Sequence, residues 1–189
     1  MKEIILASGS PRREELLRQA GVTFEKVVSG CDEIVIEGEK VCSMVERLAV
    51  EKAKAVAELH PESLVIGADT TVYIDGTILG KPESQDEAEM MLRTIQGRTH
   101  EVWGGIALVR QADGLQEVWS HKTHVTMVAM SQEEIQQYVA TGEPMDKAGS
   151  YAIQGIGLQY VKSIEGSYSN VVGLNISALL PRIKAHVCH

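Results

Sequence analysis

Aromatic side chains are scarce in this sequence: they make up 4% of it, and Phe24 is the single phenylalanine. Surfaces that stack nucleic-acid bases on aromatic rings are therefore hard to build, and the core must be aliphatic, helped by seven Met. Positive charge is also short. Lys and Arg number 18 against 26 Asp and Glu, for a net charge of −8. That balance disfavours a nucleic-acid polymer or an anionic membrane as partner, and an anionic substrate would need a local basic pocket in an acidic shell. Long apolar runs are missing. No stretch approaches the ~18 residues that span a bilayer. Ile4-Ile5-Leu6-Ala7 is too short for a signal-peptide core, so the expected location is cytoplasmic. Cys31, Cys42 and Cys188 are odd in number with no C-x-x-C spacing, which suggests neither a disulfide framework nor a zinc site.

What is present is an ordinary globular composition, 44% hydrophobic and 23% charged over 189 residues. That length suits one domain, or one domain with two lobes, with ample core. No repeat, low-complexity tract or linker marks a boundary, so residues 1–189 read as a single domain. Ile4–Ala7 reads as a buried strand, followed by a Ser8-Gly9-Ser10 turn. Pro11 then opens a helix with Ser10 as N-cap, and Gly21 lies just past its end. A second helix covers roughly Val41 to Leu59, with an apolar stripe of Val41, Met44, Val45, Leu48, Ala55, Val56 and Leu59. Lys52 falls on that stripe, where an apolar residue is ordinarily found.

Leu64 to Ile74 is a β-rich run interrupted by Asp69, and Asp75-Gly76 turns it into Thr77–Lys81. Ser84-Gln85-Asp86-Glu87 and Ser131-Gln132-Glu133-Glu134 are capping boxes that open two further helices. Strands are expected at Val102–Val109, at about Leu115–Met130, and around Tyr160 and Val171. A Gly-rich stretch runs from Gly142 to Gly157, and a C-terminal helix starts near Ile176. Irregular alternation of strands and helices indicates an α/β class with a mixed sheet.

Several residues stand out chemically. Asp69 ends an apolar run and is expected at or near the end of a buried strand, where α/β folds bind ligands; a turn-capping Asp is the alternative. Hairpin geometry places Lys81 opposite Thr70, beside Asp69 but on the other face; an exposed edge lysine is the alternative. Arg12 and Arg13 follow a small-residue turn at a helix start, a setting that favours phosphate, although surface arginine pairs are common. Lys52 either reaches the same anion or snorkels to water. Glu33 could serve a metal, though spacing alone favours a solvated loop acid. His121 and His124 lie three apart on an expected strand, hence on opposite faces. His186, Cys188 and His189 could bind a metal, but a frayed tail is the stronger reading. There is no phosphate-loop, H-E-x-x-H or dinucleotide fingerprint, and too few residues precede Arg13 for a Nudix box.

Longer motifs carry a resemblance. Leu6-Ala7-Ser8-Gly9-Ser10-Pro11-Arg12-Arg13 with Leu16-Leu17, Gly67-Ala68-Asp69-Thr70, and Ile78-Leu79-Gly80-Lys81-Pro82 form the first two blocks. The third is Asp146-Lys147-Ala148-Gly149, Tyr151, Ile153-Gln154-Gly155, Ile164, Gly166-Ser167-Tyr168 and Val172-Gly173-Leu174. Together they resemble the Maf family of nucleotide pyrophosphatases from residue 4 to about 180.

The resemblance implies a fold like that of the inosine-triphosphate pyrophosphatases: a curved mixed sheet with flanking helices and two lobes around a cleft. It implies hydrolysis of a nucleoside triphosphate to monophosphate and pyrophosphate, assisted by a divalent cation (Mg²⁺, Mn²⁺ or Co²⁺). Asp69 matches the general base. Arg12, Thr70 and Gln154 match specificity positions of the branch acting on dTTP and UTP, and Ser8, Arg13, Glu33, Lys52 and Lys81 match other polar cleft residues. Glu33 and Asp69 are the candidate metal carboxylates, and whether Asp69 is base, ligand or both is open. The partner implied is a small nucleotide, canonical or modified, with neither nucleic-acid polymer nor membrane, and a homodimer is compatible. A link to septum formation and cell division is also implied. The alternatives are a nucleotide-binding regulator without essential turnover, and the sister activity on 7-methyl-GTP.

Overall fold

The computed structural model describes residues 3–187. It is a mixed α/β structure whose strands are β1 (Ile4–Leu6), β2 (Glu25–Lys26), β3 (Leu64–Ile74), β4 (Thr77–Leu79), β5 (Thr99–Arg110), β6 (Leu115–Met127) and β7 (Val161–Glu165). They form one sheet in the order β2-β1-β3-β5-β6-β7, with β4 paired to β3. The chain divides into two compact units. The first comprises the chain up to Thr70, Gly104–His121 and the chain from Gly173; the second comprises Thr71–Trp103 and Lys122–Val172.

In the first unit, β1 (Ile4–Leu6) pairs in parallel with β2 (Glu25–Lys26) and with β3 (Leu64–Ile74), Ile5 opposite Val65. Successive strand residues point to opposite faces, and here both faces are covered. Odd-numbered Ile5, Ala7, Val65, Ala107 and Val109 pack with Ala49, Ala53, Val56 and Ala57 of α2 (Val41–Ala57). Even-numbered Ile4, Leu6, Leu64, Ile66, Ala68, Ile106 and Leu108 pack with Leu17 of α1 (Pro11–Gln19) and with Leu174, Leu179 and Ile183. Burial on both faces explains the near-continuous apolar run of β3. A Cβ on Gly67 would lie 2.1 Å from the Ala49 carbonyl oxygen, and one on Gly105 would lie 2.2 Å from that of Val45. Only glycine lets α2 sit this close to the strands.

One expectation for this unit is met in position but not in its bonding, and two are corrected. Ser10 occupies the N-cap of α1 but its side chain makes no capping bond; its backbone N–H donates instead to Ser8 Oγ at 3.2 Å. Leu59 lies beyond α2 and is exposed, while Ala49, Ala53 and Ala57 complete the buried stripe. Asp69 sits near the middle of β3 rather than at its end, because β3 continues through Ile74.

In the second unit, β3 turns through Asp75 and Gly76, both at positive φ, into β4 (Thr77–Leu79), with Ile74 opposite Thr77. Pairing stops at Leu79, so Lys81 lies past the strand. The α3 helix (Gln85–Ile95) begins with Ser84 Oγ accepting from Glu87 N–H, but the Glu87 carboxylate accepts from Glu83 rather than from Ser84. The box at Ser131 and Glu134 is complete and opens α4 (Gln132–Ala140). The strands β5 (Thr99–Arg110) and β6 (Leu115–Met127) run through both units, and β6 ends before Met130. Three 3₁₀ turns follow, Glu143–Asp146, Ala148–Ser150 and Gly155–Tyr160, and then β7 (Val161–Glu165), antiparallel to β6. Val171 belongs to a short helix, α5 (Tyr168–Val172), and not to a strand. Asn170 anchors that helix by donating to the Val102 carbonyl and to Thr123 Oγ1, both at 3.1 Å. The C-terminal α6 (Ile176–Val187) returns to the first unit.

The second unit also buries His100, whose Nε2 shares a 2.7 Å hydrogen bond with the Tyr151 hydroxyl. Desolvation lowers its pKa to about 4. The unfolded chain takes up this proton near the ordinary 6.5, and the folded chain only near 4. Stability from the neutral imidazole is therefore complete above about pH 6.5 and is lost as the pH falls toward 4. Urea denaturation at several pH values is expected to show a decline over this window that His100→Gln removes. An unchanged decline in the variant would assign it to other groups.

Candidate active site

Neighbouring residues on a strand face opposite ways, so Asp69 and Thr70 enter separate networks of the first unit. Asp69 lies on the odd face with Lys52 of α2. Lys52 Nζ donates to Asp69 Oδ1 and to Glu33 Oε1, each at 2.7 Å. The Lys52 and Asp69 side chains are 8% and 7% exposed, whereas Glu33 is 48% exposed. Lys52 does not snorkel to water. It is a buried cation whose two carboxylate partners come from β3 and from the loop before α2. Buried charges persist only when paired in this way.

Thr70 lies on the even face, with α1. The Arg13 guanidinium donates through Nε to the Gly173 carbonyl at 2.8 Å, through Nη1 to Ser8 Oγ at 3.2 Å, and through Nη2 to Thr70 Oγ1 at 3.0 Å. Thr70 Oγ1 in turn donates to the Gly173 carbonyl at 3.3 Å. Arg13 thus ties together the turn after β1, the strand β3 and the Gly173 backbone. Desolvation lowers its pKa, while the charges of Asp69 and Glu33 raise it. A guanidinium stays protonated regardless.

Six of the candidate residues thus fall into two networks, Glu33, Lys52 and Asp69 in one and Ser8, Arg13 and Thr70 in the other, and the Gly173 backbone joins the second. Gly173 lies in the Val172-Gly173-Leu174 block, but its part is played by a backbone carbonyl, a role that no side chain signals; its φ is 136°. Arg12 is half-buried and makes no hydrogen bond or ion pair with another described residue. Lys81 and Gln154 are exposed residues of the second unit. Gln154 does not brace the Gly-rich stretch: its side chain makes no hydrogen bond with a described residue. The bracing residue is Glu143, which accepts from Tyr138 Oη, Ile156 N–H and Gly157 N–H. At the C-terminus, His186 Nε2 pairs with Glu117 Oε1 at 2.7 Å, while Cys188 and His189 lie outside the described residues.

Removing one member of a buried ion pair strands the other, at a cost of about 3–5 kcal/mol, whereas replacing both with apolar groups is close to neutral. Lys52→Met is accordingly expected to lower unfolding stability by about that amount. Lys52→Met with Asp69→Leu should recover most of it, because Glu33 can turn to water. Urea midpoints measure both, and equal losses in the single and double variants would show that the pair is not the source.

Comparison with known proteins follows the same outline. The Maf-like protein family model matches residues 3–186. A dTTP/UTP pyrophosphatase of Pelotomaculum thermopropionicum is 48% identical over 97% of this chain and 96% of its own. Relatives named dTTP/UTP pyrophosphatase from Symbiobacterium thermophilum and Bacillus cytotoxicus are 50% and 49% identical, over 92% and 97% of this chain and 89% and 95% of their own. Among solved structures, the Staphylococcus aureus Ham1 protein matches 85% of this chain and 80% of its own at a TM-score of 0.49 and 16% identity, too distant to bear on activity. The extent of the family match, together with the identity to these relatives, makes this chain a member of the Maf family.

Proposed function

We propose that this protein is a nucleoside triphosphate pyrophosphatase that hydrolyses dTTP and UTP to the monophosphate and pyrophosphate. The observation that carries this reading is the Asp69 carboxylate, buried in the first unit yet held through one oxygen only. Lys52 fixes Oδ1, and Oδ2 accepts no hydrogen bond from a described residue, which leaves it to accept a proton from an attacking water. Attack of water on phosphorus depends on positioning and charge neutralisation more than on covalent chemistry. The cationic groups of the first unit proposed to meet the phosphates are Arg12, which has no partner among the described residues, and the third N–H of Lys52. Arg13 acts mainly by holding Ser8 and Thr70 in place, since its three nitrogens are already engaged. Gln154 offers both a donor and an acceptor, which suits the O4/N3–H edge shared by uracil and thymine. The names of the relatives support the same substrate pair.

The donor set also suits a hard divalent cation. Among the described residues no three His, Cys, Asp or Glu side chains gather into a cage. Mg²⁺ does not need one, because it takes one or two carboxylates and completes its shell with phosphate oxygens and water. Glu33 and Asp69, which converge on one ammonium, would hold it. When bound, such a cation supplies charge neutralisation and lowers the pKa of water.

Pyrophosphate release from purified protein with dTTP, UTP, CTP and purine triphosphates, in Mg²⁺ or Mn²⁺, tests the reading. Asp69→Asn is expected to bind dTTP with near-parental affinity and to lose about 10²–10⁴-fold in kcat, the worth of a general base. Turnover within a few-fold of the parent would remove Asp69 from the mechanism. Tight binding without release of any nucleotide would favour a regulatory binder instead.

A further inference from the structure

We propose that Glu143 is a positioning residue that sets base selectivity by fixing the turn that carries Gln154. The inference rests on the reading of Gln154 given above. Every contact involved lies within the second unit. Glu143 follows Gly142, whose φ of 78° turns the chain at the end of α4. Its carboxylate is a hub. Oε2 accepts from the Tyr138 hydroxyl at 2.6 Å and from Gly157 N–H at 2.8 Å, and Oε1 accepts from Ile156 N–H at 2.8 Å. The Tyr138 hydroxyl meanwhile accepts from Ala152 N–H at 3.1 Å. Gln154 is thus bracketed, with Ala152 held two residues before it and Ile156 and Gly157 held just after.

The packing leaves little freedom. Gly155 has a φ of 78°, and a Cβ there would lie 2.2 Å from Glu143 Oε1. A Cβ on Gly157 would lie 2.3 Å from the Ala152 carbonyl and 2.4 Å from the Tyr138 hydroxyl. The two glycines admit the carboxylate and the phenol, and these then take up the backbone donors of the turn. Desolvation pushes the Glu143 carboxyl pKa up, but the hydrogen bonds from Tyr138, Ile156 and Gly157 outweigh it and hold it below the ordinary value. An ionised acceptor is what three converging donors require. The Gln154 side chain itself has no partner among the described residues, so the backbone on either side is what aims it. An amide that reads a base edge loses selectivity when it is free to wander.

Glu143→Gln is the sharp test, because it keeps the shape but turns one acceptor into a donor that faces Tyr138 or a backbone N–H. In this variant amide exchange at Ile156 and Gly157 is expected to speed up while the urea midpoint falls little. The ratio of kcat/KM for dTTP over CTP should fall about tenfold, roughly the worth of one misplaced hydrogen bond. Gln154→Ala should show a similar fall, and the double variant no more than Gln154→Ala alone, since a positioning residue acts through the one it positions. Tyr138→Phe, which keeps the ring but removes the donor to Glu143 and the acceptor of Ala152 N–H, leaves both backbone bonds of Glu143 in place; it should move selectivity in the same direction by less, and it serves if Glu143→Gln does not fold. Faster exchange with parental selectivity, while Gln154→Ala loses it, would overturn the role of Glu143 alone. Parental selectivity in Gln154→Ala would overturn the reading of Gln154 and this proposal with it. Additive losses spread equally over all nucleotides would make Glu143 a purely structural brace.

Discussion

An ammonium group buried against a central strand must find anionic partners, and much of the first unit is arranged around that requirement. Lys52 stands on the apolar face of α2, among Leu48, Ala49, Ala53 and Val56, where a methylene chain packs well but a charge does not. Asp69 and Glu33 converge on it at 2.7 Å each. The helix can approach β3 closely enough for this contact because Gly67 carries no side chain at the crossing. A charge buried for packing alone would be a net liability, since apolar residues of the same size do as well or better. Its presence where the family motifs cluster is consistent with a chemical role.

The alternation of β3 then divides the labour between two networks. Asp69 looks toward α2 and its lysine, while Thr70 looks toward α1 and the Arg13 guanidinium. A carboxylate and a hydroxyl adjacent in sequence are thereby held by different helices. Arg13 spans Ser8, Thr70 and Gly173, so three distant parts of the chain share one planar cation. The fork of a guanidinium can do this where an ammonium could not, because its donors are fixed in direction.

In the second unit a carboxylate plays the corresponding part with the sign reversed. Glu143 collects donors from a phenol and two backbone amides, and it gives a Gly-rich stretch of short 3₁₀ turns a defined path. Glycine-rich turns are otherwise costly to order, since glycine loses the most conformational freedom. The two units thus each hold their polar segments by converging several bonds on one ion.

Much of this was legible in the sequence. Periodicity located α2 and β3, the Asp75-Gly76 turn set the hairpin register, and the box at Ser131 and Glu134 formed as written. Lys52 announced itself by breaking an apolar stripe, and Asp69 by interrupting an apolar run. These signals are local, and local rules of spacing and propensity carry them. The partners were not legible. That Asp69 sits within β3 rather than at its end, that Lys52 meets both Asp69 and Glu33, and that the Gly173 carbonyl receives Arg13 depend on helix-to-strand register. Val171 lies in a helix because Asn170 anchors it to Val102 and Thr123, which are remote in sequence. Residue type and spacing determine what each segment can do. Which ion meets which is decided only when burial removes water and each charge must be matched by whatever tertiary packing brings within reach.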